Sequence, residues 1–176
     1  MLSRLGQWSD LLVRLVAYTS LVIYPGLVLC TLYEVLARYA FNRPTIWAFD
    51  IVFMLHGALF MLTAAYVLQK SAHVRIDILS TRLPHRVQHA VNLAFYALVF
   101  LPAIWIVGAA TIRRAYSAFM RGEVELVSAW GPLIWPFFSA VALGFVMLWL
   151  QALVEAARHA AGVMGSGPLS RQVIER

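Results

Sequence analysis

Apolar residues occur along this chain in four long blocks, and short polar segments between them hold nearly all the charge. The blocks are Leu15–Tyr33, Ile51–Gln69, Val87–Ile112 and Leu126–Val154. Each is long enough to cross a hydrocarbon core of about 30 Å as a helix. The pattern therefore predicts an all-α membrane protein with four transmembrane helices, over about 12–37, 47–70, 86–114 and 128–156. Residues 1–156 form one helical membrane domain, with no room for a separate soluble one. Beyond it, Gly162, Gly165, Ser166, Gly167 and Pro168 interrupt helix and predict a flexible cytoplasmic tail over 157–176.

The titratable side chains strictly inside the blocks are Cys30, His56, His89 and a few tyrosines. Proteins that move ions through the membrane retain buried Asp, Glu, Lys or Arg along the path, because such groups are costly and persist where they are used. Blocks this empty suit a wall or a frame, not a pore. Composition agrees with membrane insertion: 62% of the residues are hydrophobic and 12% charged, against about 25% charged in a soluble domain. Cys30 is the single cysteine, so no intrachain disulfide forms and thiol exchange between paired cysteines is excluded.

The net charge of +6 comes from basic residues scattered among the loops, which argues for membrane topology and against nucleic acid. Arg4, Arg14, Lys70, Arg75, Arg82, Arg86, Arg158, Arg171 and Arg176 fall on one side of the four spans, and Arg38, Arg43, Arg113, Arg114 and Arg121 on the other. The larger group marks the cytoplasmic side, so both termini are expected there. Trp8, Asp10 and Arg14 precede a first block too long for a signal-peptide core, so no cleavable signal is expected. Leu2, Leu5 and Trp8, spaced by three, suit a short interfacial lead-in to the first span, with a frayed terminus as the alternative. No internal repeat is evident, so an inverted-repeat transporter core is not supported.

The chemistry of the chain lies at the rims of the spans. Glu34 and Arg38 are four apart where span one emerges and can pair. Asn42, Arg43 and Pro44 form a turn, Trp47 suits headgroup depth, and Asp50 complements the dipole at the start of span two. Asp50 can also pair with Arg38 or Arg43 across the hairpin. After span two, His73, Arg75 and Asp77 alternate with apolar residues and suit an interfacial segment facing anionic lipid. In the third loop Glu123 and Glu125 offer too few oxygens for calcium and suit an acidic, partner-facing surface. Ser128 is placed to cap span four, Pro132 to sit early in it, and Pro136 to kink it, with Trp130 and Trp135 as an aromatic belt.

His56 is the histidine deepest in a span. A hydrogen bond to a neighbouring helix or subunit is the expectation. A haem ligand would place the chain among small cytochrome b-type subunits, and a self-sufficient small channel is a further alternative. Beside His56, Gly57, Ala58, Ala64 and Ala65 form a small-residue strip for close helix approach.

With these residues laid out, the chain resembles the small membrane subunit of tripartite ATP-independent periplasmic (TRAP) transporters, the DctQ-like family, from about residue 10 to 156. The likeness is carried by Arg38-Tyr39-Ala40-Phe41-Asn42 with Trp47 and an acid at 50, then His73-Val74-Arg75-Ile76-Asp77-Ile78. The acidic third loop leading to Ser128, Trp130, Pro132 and Trp135 completes it. Asp50 stands where Glu is expected, which keeps the charge and shortens the reach. The resemblance implies a non-catalytic subunit of a sodium-coupled importer of organic acids in the bacterial inner membrane. Its implied partners are a large membrane subunit that carries substrate and sodium, a periplasmic binding protein that delivers the solute, and membrane lipids. No cofactor is implied for this chain, and sodium belongs to the large subunit.

Overall fold

The computed structural model describes residues 2–70 and 85–164. Helix α1 spans Leu2–Tyr39, α2 Ala48–Gln69, α3 His85–Phe95, α4 Leu101–Arg121 and α5 Trp135–Met164, with one wide π turn over Tyr96–Phe100 joining α3 to α4. Four helical stretches are long and apolar enough to cross a membrane: Leu11–Tyr39, Ala48–Gln69, Val87–Arg121 and Trp135–Val163. The expected all-α architecture with four spans is what the chain adopts.

The helices pack mainly in the order α1, α2, α5, α4, so α2 and α5 occupy the middle and α1 lies at one side. Among the α1 positions whose burial is described, from Leu11 on, those buried or half-buried form one seam of Val13, Ala17, Ser20, Ile23, Leu27, Cys30, Glu34 and Ala37, with Val16 beside Ala17. That spacing of three and four is a helix-packing seam. Hydropathy does not reveal it, because a side chain facing lipid is as apolar as one facing another helix.

Two close approaches fix α5 against α2. A Cβ on Gly144 would lie 2.6 Å from the Met61 carbonyl oxygen, and one on Gly57 would lie 2.7 Å from the Phe137 ring. Ala58 and Ala65 are buried as well. The small-residue strip of α2 is thus used inside the chain, mostly against α5. Val13, Ala65, Leu68, Ile104, Leu148 and Ala152 form the buried core where α1, α2, α4 and α5 meet. The π turn immediately precedes Pro102, whose nitrogen has no proton to give the carbonyl four residues back; a widened turn accommodates that missing bond.

Three expectations are corrected. Span four begins at Trp135 and not at 128, so Ser128 does not cap it. Gly131 takes a left-handed φ of +61°, and Pro132 disfavours helix in the residue before it. Pro136 becomes the second residue of α5, where a missing N–H costs little, and it lies too early to kink the span. At the other end, α5 runs on to Met164, so 157–164 are helical and not part of a tail. Gly162 is accommodated there because the His89 ring occupies the space a Cβ would need, 2.8 Å away.

Candidate partner-facing rims and a buried polar end

At the rim shared by the end of α1 and the start of α2, one carboxylate organises the loop. Arg38 donates to Glu34 Oε1 from Nε at 3.0 Å and also from its terminal nitrogen. Glu34 Oε2 accepts the Thr45 backbone N–H at 3.1 Å and the Thr45 hydroxyl. The Thr45 hydroxyl oxygen in turn accepts the Ala48 N–H at 3.4 Å, at the first turn of α2. Asn42 supplies the left-handed residue (φ +51°) that lets Arg43 N–H reach the Ala37 carbonyl at 2.8 Å and close α1. Trp47 stacks on Tyr33 with centroids 5.6 Å apart, so it ties α2 to α1 as well as lying at the rim. Arg43 is exposed.

Asp50 pairs with neither Arg38 nor Arg43. Arg38 is taken by Glu34, and the Asp50 carboxylate accepts the Ser128 hydroxyl from the third loop. The Ser128 oxygen also accepts the Trp130 N–H at 3.1 Å. The third loop is built as a short β-like turn. Gly122 (φ +58°) ends α4, Glu123 N–H returns to the Ala118 carbonyl at 3.0 Å, Glu125 N–H bonds the Pro132 carbonyl at 2.9 Å, and Ile134 N–H bonds the Glu123 carbonyl at 3.1 Å. Glu123 is ion-paired with Arg114, whose guanidinium also lies 5.4 Å from the centre of the Phe138 ring. Glu125 accepts the Val127 N–H at 3.3 Å. Trp135 packs edge-on against Phe119, and Pro132 is buried. The loop presents Leu126 and Val127 at its tip, 91% and 94% exposed.

The sequence reading missed a second polar cluster at the opposite end. Gln69, Gln151, Glu155, Arg158 and His159 are all buried. Arg158 donates to Glu155 Oε1 at 2.5 Å, and Gln151 Nε2 donates to the same oxygen at 3.4 Å. The Nδ1 atoms of His89 and His159 lie 3.1 Å apart, so one ring donates and the other accepts, and His159 stacks on Tyr96. The signal was available: Gln151, Glu155 and Arg158 fall on one face of α5 at helical spacing. Reading Arg158 as a topology charge beyond the span concealed it.

His56 lies on the outer face of α2, is exposed, and has no hydrogen-bond partner among the described residues. The expected bond to a neighbouring helix of this chain is therefore not made. His73, Arg75 and Asp77 lie outside the described residues, as does the tail beyond 164. Among the described residues no three His, Cys, Asp or Glu side chains converge to hold a metal ion.

Four apolar spans with ordered loops at one rim define a multi-pass membrane protein. Residues 27–162 match the family described as the DctQ component of tripartite ATP-independent periplasmic transporters, and the chain belongs to that family. It is thus the small subunit of a TRAP transporter, a transport component with partner subunits and not an enzyme. No curated protein matches it.

Proposed function

We propose that this chain is the non-catalytic scaffold of a sodium-coupled importer of organic acids in the bacterial inner membrane. It packs against the large membrane subunit and holds no cofactor; sodium and substrate travel through the large subunit. Both termini lie in the cytoplasm, so the Glu34–Asp50 and Glu123–Trp135 rims face the periplasm and help seat the binding protein.

One observation carries this reading. Among the described residues the ion pairs are Glu34–Arg38 and Glu123–Arg114 at one rim and Glu155–Arg158 in the last third of α5. No charged side chain among the described residues lines the middle of a span, where an ion path would need one. The positive-inside asymmetry supports the orientation.

Liposomes containing this chain alone are expected to show no solute uptake under a sodium gradient. Uptake should begin when the large subunit and the binding protein are added. In intact cells, cysteines placed at Asn42 and Val124 in a Cys30→Ala background should react with an impermeant maleimide from the periplasmic side. Uptake by the chain alone, or labelling only from the cytoplasm, would overturn the scaffold or its orientation respectively.

A further inference from the structure

The outer surface of α2 is a single narrow stripe. Its exposed positions are Phe49, Phe53, His56, Phe60 and Val67. Thr63 fills the remaining register position, with its hydroxyl bonded to the Leu59 and Phe60 carbonyls of its own helix. The steps of four, three, four, three and four are those of a helix-packing seam. The flanks of α2 are already taken, one by α1 and one by α5.

Phenylalanines on such a stripe are equally at home in lipid, so they do not choose an occupant. His56 does. It lies eight residues into a helix of 22, which is about 12 Å from the rim end and near the middle of the bilayer. The outward threonines of the other spans satisfy their hydroxyls within their own helices: Thr19 on the Val16 carbonyl, Thr31 on Leu27 and Thr111 on Val107. An imidazole has no such recourse here, and His56 makes no hydrogen bond within the described chain. Hydrocarbon offers neither donor nor acceptor, so lipid is the costly occupant for this face. A protein helix is the favourable one, because it supplies a backbone carbonyl or a polar side chain at that depth.

We propose that the Phe49–Phe53–His56–Phe60–Val67 stripe is the face on which a transmembrane helix of the large subunit docks, with His56 hydrogen-bonded across the interface. This rests on the assembly described above. The phenylalanines interlock with the partner helix, and His56 fixes its register. The stripe borders the α5 contact at Phe53, whose ring lies 5.9 Å from that of Phe137, whereas Phe49 and Phe60, 75% and 69% exposed, can be altered with little effect on the subunit's own packing.

The test is co-expression of the tagged chain with the other two components, purification in mild detergent, and crosslinking from single cysteines in a Cys30→Ala background. Cysteine at Phe49 or Phe60 should crosslink to the large subunit, whereas cysteine at Val22 or Leu29 on the exposed side of α1 should not. His56→Phe should reduce the co-purified large subunit about tenfold, the equivalent of one interhelical hydrogen bond. His56→Asn should retain most of it. His56→Phe alone in detergent should unfold no earlier than the wild type, since it exchanges an unpaired polar ring for an apolar one. If the wild-type chain brings down no large subunit, the assembly itself fails. If it does, but His56→Phe retains full yield and the crosslinks arise from α1, the assembly stands and this face is the wrong one.

Discussion

Replacing Gly144 with alanine is expected to destabilise the subunit more than any other single methyl addition in the described chain. The new Cβ would sit 2.6 Å from the Met61 carbonyl oxygen and 2.7 Å from its carbon. Both atoms are helix backbone, which cannot rotate away as a side chain would. The two central helices must separate, and the core of Ala65, Leu68, Leu148 and Ala152 opens with them. Overpacking of this kind costs roughly 3 kcal/mol, and a bulkier Gly144→Leu should leave no folded protein. The midpoint of thermal unfolding in detergent reports the loss. Gly26→Ala is the control, because nothing lies within 4 Å of a Cβ at that position. Equal stability of Gly144→Ala and Gly26→Ala would show that α2 and α5 do not approach this closely.

A comparably large loss is expected from Arg158→Met. Arg158 and Glu155 are each 8% exposed at the side chain and pair at 2.5 Å. Removing the guanidinium leaves a buried carboxylate that keeps a 3.4 Å hydrogen bond from Gln151. Breaking a buried pair from one side costs about 3–5 kcal/mol, whereas replacing both charges is often nearly neutral. The double variant Glu155→Gln with Arg158→Met should therefore recover most of the stability that the single variant loses. Unfolding midpoints of the wild type, the single variant and the double variant in the same detergent decide it. A harmless single variant would mean that water or lipid headgroups reach this end of the bundle.

The number and type of elements are legible in the sequence because hydrophobic length alone determines them. What lipid makes illegible is orientation about each helix axis. In water, the seam from Val13 to Ala37 would stand out against a polar outer face; here both faces are apolar, and only packing distinguishes them. The same reason keeps the α2 stripe hidden, although His56 itself is conspicuous. The rim is half legible. Glu34 and Arg38 are neighbours on one helix and pair as their spacing implies. Asp50 and Ser128 are joined across 78 positions, which local spacing cannot reveal. Thr45 goes unnoticed because its role depends on where the chain turns back, not on its immediate neighbours. The start of α5 is misplaced because a serine before an apolar run imitates a cap, while the decisive residues, Gly131, Pro132 and Pro136, follow it.

On the scaffold proposal, this chain is a partner-bound frame and not a machine in itself. Affinity purification of the tagged chain from its native membrane in mild detergent tests it most directly. A much larger multi-pass protein should co-elute in a fixed stoichiometric ratio and be lost only under harsher detergent. A chain that elutes alone and folded, from membranes in which the large subunit is present, would contradict it.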